Sequence, residues 1–273
     1  MTLDPDVAYW CEMAEVDAYR DVISATAELP GNPLGARLKA IGGGVAFALT
    51  ALEIPFFYRV VGLGVGGPAA ETVVEDVNRF YVGFERTGCA VQLAPHATPP
   101  GLVGWFEARG YRPSRNWVKM WHPLRDLPSA TTDLRIEEVG PDRANDFVRI
   151  FLETFGMPPE IGPSAAVMVG RKGWRHYIGF DGETPVSVAA MRIEDGVAWF
   201  GYGGTLDSHR GRGGQSAMFA RRLHDAREAG CRLAITETGE ETPDVPNASY
   251  RNMVRAGFQL AYPRRNWVSP APV

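Results

Sequence analysis

The hydrophobic pattern of this chain switches repeatedly between the two-residue period of a strand and the three-to-four-residue period of a helix, most clearly in its second half. Leu134 to Val139 reads as a half-buried strand and Asp142 to Phe155 as an amphipathic helix. Trp174 to Val197 predicts a pair of strands reversing at Asp181-Gly182, and a second turn at Asp195-Gly196 leads into the apolar run Val197 to Leu206. Beyond a glycine-rich stretch, Phe219, Ala220, Leu223 and Ala226 share one helical face, with Arg221, Arg222, Asp225 and Glu228 on the other. Gly230 is the expected stop. Arg232 to Thr236 then predicts a short strand, followed by a proline-rich loop through Pro243 and Pro246 and a last helix from Asn247 towards Gly257-Phe258.

A worn copy of the same layout occupies the first half. Phe57 to Val61 is strand-like, and Ala70 to Phe84 carries Val73, Val77, Phe80 and Phe84 on one helical face. Three segments repeat in order: Thr87-Gly88-Cys89-Ala90-Val91-Gln92-Leu93 parallels Ala229-Gly230-Cys231-Arg232-Leu233-Ala234-Ile235, Arg109-Gly110-Tyr111 parallels Ala256-Gly257-Phe258, and Arg115-Asn116-Trp117-Val118 parallels Arg265-Asn266-Trp267-Val268. One such match would mean nothing; three in order argue for internal duplication.

Chemistry enters at His209-Arg210-Gly211-Arg212-Gly213-Gly214-Gln215-Ser216, between the apolar run and its helix. A tight glycine-rich turn lets successive backbone N–H groups point at one anion, the helix N-terminus adds a partial positive charge, and Arg210 and Arg212 add full ones. A pyrophosphate would fit there. The bland alternative is a cationic turn joining strand to helix. The corresponding stretch of the first half, Gly62-Leu63-Gly64-Val65-Gly66-Gly67-Pro68-Ala69, has no arginine, and Pro68 removes a donor, so any phosphate ligand is expected in the second half only.

The spacing Arg210-x-x-Gly213-x-Gln215 resembles the Gln/Arg-x-x-Gly-x-Gly/Ala signature of the GCN5-related N-acetyltransferase (GNAT) superfamily, with Gln215 departing from the small final residue. The element order from residue 134 to 268 is similar to the family's β-α-α-β-β-β-α-β-α-β. The resemblance implies an α/β (α+β) chain of two tandem GNAT-like domains, each a mixed, mostly antiparallel twisted sheet flanked by helices. A degenerate copy would span 1–125 and an acetyltransferase domain 134–273, joined by a linker at 126–133.

It also implies acetyl-CoA as cosubstrate, with an acetyl group passing to a primary amine by direct transfer in a ternary complex. The pyrophosphate would rest on Arg210, Gly211, Arg212, Gly213, Gly214, Gln215 and Ser216, and the pantetheine arm on amides freed near Gly204, Thr205 and Leu206, with Asn247 and Asn252 contacting its amides. Gly203 and Gly204 suit a bulge that would splay the strand. Many relatives carry a tyrosine acid where Met253 stands here; Ser249 matches a serine found in a subset. Glu237 is the first choice of base, with Glu240 and Glu241 as substitutes. Each acid is equally read as part of a solvated loop, and Asn247 equally as a helix cap.

Composition narrows the picture further. At 273 residues and 45% hydrophobic the chain accommodates two cores, and no run approaches the roughly 18 apolar residues of a membrane span. The net charge of −4 argues against nucleic acid as the main partner. The polar start, Met1-Thr2-Leu3-Asp4, does not read as a secretory signal, and Cys11, Cys89 and Cys231 form no CxxC; the expectation from both is a reduced, cytoplasmic setting. The five histidines are scattered, and no metal site is expected. The expected partner is a small-molecule amine, with no nucleic acid and no membrane, and the duplication suits a monomer or weak homodimer. Two alternatives stay open: a non-catalytic acetyl-CoA binding or sensing module, and a vestigial fold acting as an interaction protein.

Overall fold

A computed structural model describes residues 3–83 and 88–270. Phe84 of the predicted helical face and Thr87 of the repeat lie outside the described residues. The chain forms two compact units, one of Met1–Lys119, Thr238–Glu240 and Leu260–Val273, the other of Met120–Glu237 and Glu241–Gln259. The expected division lies at 126–133; in the structure the described residues from Leu260 onward group with the first unit. The last strand goes where its backbone finds a partner: Arg265 to Val268 pair antiparallel with Leu93 to Ala90.

The first unit contains helix α1 (Pro5–Ala27), strands β1 (Ala36–Ile41), β2 (Gly44–Leu49) and β3 (Arg59–Val61), helix α2 (Val73–Tyr81), strand β4 (Ala90–Leu93), helix α3 (Leu102–Ala108) and the first part of strand β5 (Arg112–His122). Its strand order is β1-β2-β3-β4-β11-β5, where β11 (Gln259–Val268) is the final strand of the chain. β3 and β4 run parallel, so their connection must cross over, and α2 makes that crossing. Val60, Val77, Tyr81, Val91 and Phe106 form the core beneath it. Periodicity misses α1, because Glu12 and Glu15 interrupt its apolar side, yet both are fully buried. Lys119 Nζ lies 2.6 Å from Glu15, and Arg264 of β11 reaches both acids, at 3.2 Å from Glu12. Burial by itself would raise the Glu15 carboxyl; Arg264, then Lys119, outweigh it and hold it well below the usual carboxylate range.

The second unit follows the predicted order: β6 (Arg135–Val139), α4 (Ala144–Phe155), the short α5 (Gly162–Ala166), β7 (Trp174–Asp181), β8 (Thr184–Glu194), β9 (Val197–Thr205), α6 (Gly214–Glu228), the first part of β10 (Leu233–Gly239) and α7 (Ala248–Arg255). Its strand order is β6-β7-β8-β9-β10, with β6 to β9 antiparallel and β10 parallel to β9. Met218, Leu223 and Ala226 of α6 are buried, as are Tyr177, Val188, Met191 and Phe200 of the sheet. The repeat is visible in backbone shape: Gly110 and Gly257, matched in sequence, share φ of 84° and 88° just after a helix.

Among the described residues no helix is long and apolar enough to cross a membrane, and no group of three or more His, Cys, Asp or Glu could hold a metal ion. Cys11, Cys89 and Cys231 are buried, and none of them is joined in a disulfide.

Candidate active site

β9 ends at Thr205, a short turn covers Asp207–His209, and α6 begins at Gly214. Gly211 and Gly213 between them take φ of 81° and 79°. A Cβ on Gly213 would meet Thr131 O at 2.5 Å, so both conformation and space demand glycine there. The first amide of the helix to find a protein acceptor is that of Ala217, on Gly213 O at 3.0 Å. Among the described residues, the amides from Gly211 to Ser216 donate to no protein acceptor. Six consecutive donors at the positive end of a fifteen-residue helix are the kind of arrangement that suits an anion.

The equivalent turn of the first unit is closed by its own backbone. Gly64 N–H donates to Gly42 O at 2.7 Å, Val65 to Gly62 at 3.1 Å, Gly66 to Gly43 at 3.2 Å and Ala69 to Thr98 at 2.9 Å. With Pro68 lacking a donor, this loop joins a strand to a helix and offers no comparable cradle.

The two arginines of the second cradle differ in their surroundings. Arg210 pairs with Asp207 at 2.7 Å on the surface, a contact easily exchanged for another anion. Arg212 is committed: its guanidinium donates to Asp181 at 2.7 and 3.1 Å and to Asp133 at 3.1 and 3.2 Å. Hydrogen bonds that Arg212 donates to Asp181 and then to Asp133 raise its guanidinium above its ordinary value, and Arg212 holds both carboxyls below theirs. Arg212 thus anchors the loop instead of facing it with an unpaired charge. Thr132 Oγ1 also donates to Arg212 O at 2.7 Å. The predicted linker is therefore part of the site, and Ala130, Thr131, Gly213, Ser216 and Arg255 border a cleft of about 290 Å³.

Gln215, the departure from the motif, folds back so that its Nε2 donates to Thr205 Oγ1 at 3.0 Å. Leu206 N–H donates to Val186 O at 2.9 Å. Gly204 is kept small by Thr154, whose Oγ1 would lie 2.4 Å from an added Cβ. The expected bulge is present: β8 advances from Val188 to Ala190 while β9 retreats from Gly204 to Gly201, and Tyr202 takes φ of 55°. The ladder between β9 and β10 runs over Val197 to Trp199 and Leu233 to Ile235.

Glu237 stands two residues past that ladder, half-buried, accepting a hydrogen bond from Trp199 Nε1 at 3.0 Å. Its substitutes have other partners. Glu240 accepts from Asn116 Nδ2 at 3.0 Å, and Glu241 accepts from Asn247 N–H at 3.0 Å and Arg251 Nε at 2.6 Å. The Asn247 amide, then Arg251, hold the Glu241 carboxyl below its usual range. Asn247 caps α7, its side chain accepting from the amides of Ser249 and Tyr250 at 2.9 and 3.2 Å. Ser249 is exposed, Asn252 accepts from Arg255, and Met253 is buried as an apolar anchor.

Sequence reasoning missed three residues of this region. Asp133 and Asp181 meet Arg212 across long stretches of chain, and no local pattern signals such a meeting. Arg222, assigned to the polar face of its helix, is only 1% exposed.

No family profile matches the chain, and no curated protein matches it in sequence. Solved structures do match. A GCN5-related N-acetyltransferase from Kribbella flavida superposes with a TM-score of 0.63 at 21% identity, covering 92% of this chain and 96% of that one. One from Sphaerobacter thermophilus gives 0.61 at 17% identity, covering 87% and 77%. A tandem GNAT protein from the clavulanic acid biosynthesis pathway gives 0.58 at 16% identity, covering 94% and 95%. The chain carries the GNAT fold in tandem.

Proposed function

We propose that this protein is an acyl-CoA-dependent N-acetyltransferase that moves an acetyl group from acetyl-CoA to a small-molecule primary amine by direct transfer. The observation that carries the reading is the row of six amides, Gly211 to Ser216, without protein acceptors at the start of α6, set against the closed turn of the first unit. Such a row suits the pyrophosphate of coenzyme A, with Arg210 as the exchangeable cation. The pantetheine arm would then run along the bulged end of β9.

In this chemistry the amine lone pair attacks the thioester carbonyl carbon, and negative charge gathers on its oxygen. The C–S bond then breaks, the thiolate departs, and the nitrogen gives up a proton. Glu237 is the group proposed to accept that proton, and Ser249 the one proposed to protonate the thiolate. Backbone donors near the bulge would stabilise the oxyanion.

A second reading, a non-catalytic acetyl-CoA binding module, is favoured by Met253 at the usual acid position and by the engagement of Glu240 and Glu241. The two readings part on turnover.

Calorimetric titration of acetyl-CoA into the wild type and a Ser216→Asp variant tests both. An aspartate in the first turn suits the helix dipole, so the fold should persist while the carboxylate repels phosphate. Binding at least about tenfold weaker in the variant, a loss of about 1.4 kcal/mol, is expected. An amine screen that reads thiol release then separates enzyme from binding module. Absence of binding by the wild type would remove both readings.

A further inference from the structure

Helix α6 carries a buried cation that the proposed chemistry has not used. Arg222 Nε donates to Met218 O at 3.2 Å in its own helix, and Nη1 donates to Ala190 O of β8 at 3.0 Å and to Gly201 O of β9 at 3.4 Å. Its guanidinium lies over the rings of Phe200 and Phe219, at 4.5 and 5.0 Å. Among the described residues it forms no ion pair. Asp225, one turn on, is occupied by the Tyr177 hydroxyl at 2.8 Å and by Arg221 at 2.9 Å. Burial lowers the Arg222 guanidinium to about 9, which still leaves it charged at neutral pH.

A buried cation without a counter-charge costs several kcal/mol, and an apolar side chain of the same volume would fill the space more favourably. The location is specific. Ala190 and Gly201 are the pair at which the register shift of the β9 bulge begins, and Arg222 takes the carbonyls of both. A Cβ on Gly203 would stand 3.8 Å from Nη2, and Gly203 is exposed, so the charge lies just under the surface of the strand beside the bulge.

We propose that Arg222 is a positioning residue for acyl transfer: it pins the β9 bulge through the Ala190 and Gly201 carbonyls and sets a fixed positive charge beneath the place where the acyl-CoA thioester carbonyl lies. The inference rests on the acyl-CoA reading of the site. Charge that develops on the carbonyl oxygen then meets a field already in place, in a poorly solvated setting where it acts strongly.

The test is the infrared band of acetyl-CoA labelled with ¹³C at the thioester carbonyl, read free and bound to wild type, Arg222→Met and Arg222→Lys, beside calorimetric affinities. The wild type should lower the carbonyl frequency on binding. Arg222→Met should remove most of that shift while keeping affinity within about threefold, because the phosphates bind away from the bulge. Its urea midpoint should hold or rise, since an unpaired buried charge has gone. Arg222→Lys, which keeps the charge, should retain at least half the shift, and it decides the matter by itself should the Met variant fail to fold. A full shift in Arg222→Met, or none in a folded Arg222→Lys that binds, overturns the proposal. Failure of the wild type to bind acetyl-CoA is a separate result that removes the acyl-CoA reading itself.

Discussion

His176 stands on β7, its ring edge-on to Phe147 at 4.8 Å and beside Trp174 at 5.9 Å, only 1% exposed. Burial lowers it to about 4 from an ordinary 6.5. The unfolded chain therefore takes up the proton first as pH falls. Stability from this residue is complete above about pH 6.5 and declines towards pH 4, by about 3 kcal/mol in all. His176→Phe should flatten that part of a plot of urea midpoint against pH, and an unchanged slope between pH 6.5 and 4 would exclude the residue as its source. Arg222 shows the same environment acting on a different group. Neither burial is readable from neighbours in sequence, because helical and strand periods identify a face but not how deeply a long side chain on its margin is drawn under the sheet.

At the level of elements, the strand-turn-helix from β9 to α6 is the best-read part of the molecule. Its glycines, its apolar run and its helix face are all local features, and the structure has the strand, turn and helix where the pattern predicts them. The partners of that turn were not readable. Thr131, Thr132 and Asp133 come from the segment read as a linker, yet they close around Gly213 and Arg212. This makes Gly213 a sensitive point. Gly213→Ala forces an L side chain to φ of 79° and against Thr131 O, so it should cost about 1–2 kcal/mol and weaken acetyl-CoA binding together. Thermal unfolding and calorimetry on the same variant check this, and unchanged values in both would show that the turn adapts.

At the scale of the whole chain, the final strand decides what can fold alone. β11 lies between β4 and β5 in the first unit, and Arg264 on it meets Glu12 and Glu15 from α1. A chain ending at Gln259 would leave two buried glutamates without that guanidinium and an inner edge of the sheet unpaired. Uncompensated buried charge costs about 3–5 kcal/mol. Such a truncation should therefore lose the cooperative unfolding of the first unit, read by hydrogen exchange at Val60 and Val91. Full protection there would show that the strand is dispensable.

Three segments repeated in order made the tandem plan legible in the sequence, and short-range periodicity and the conformations open to glycine did the same for the main strands and helices of the second half and for the glycine turn before α6. Tertiary structure alone decided which unit receives the last strand, which amides of each turn remain open, and which charges meet under the sheets. Those outcomes depend on pairings between residues distant along the chain, such as Arg264 with Glu12 and Arg212 with Asp133, whose attraction appears only once folding has brought them together and removed the water between them.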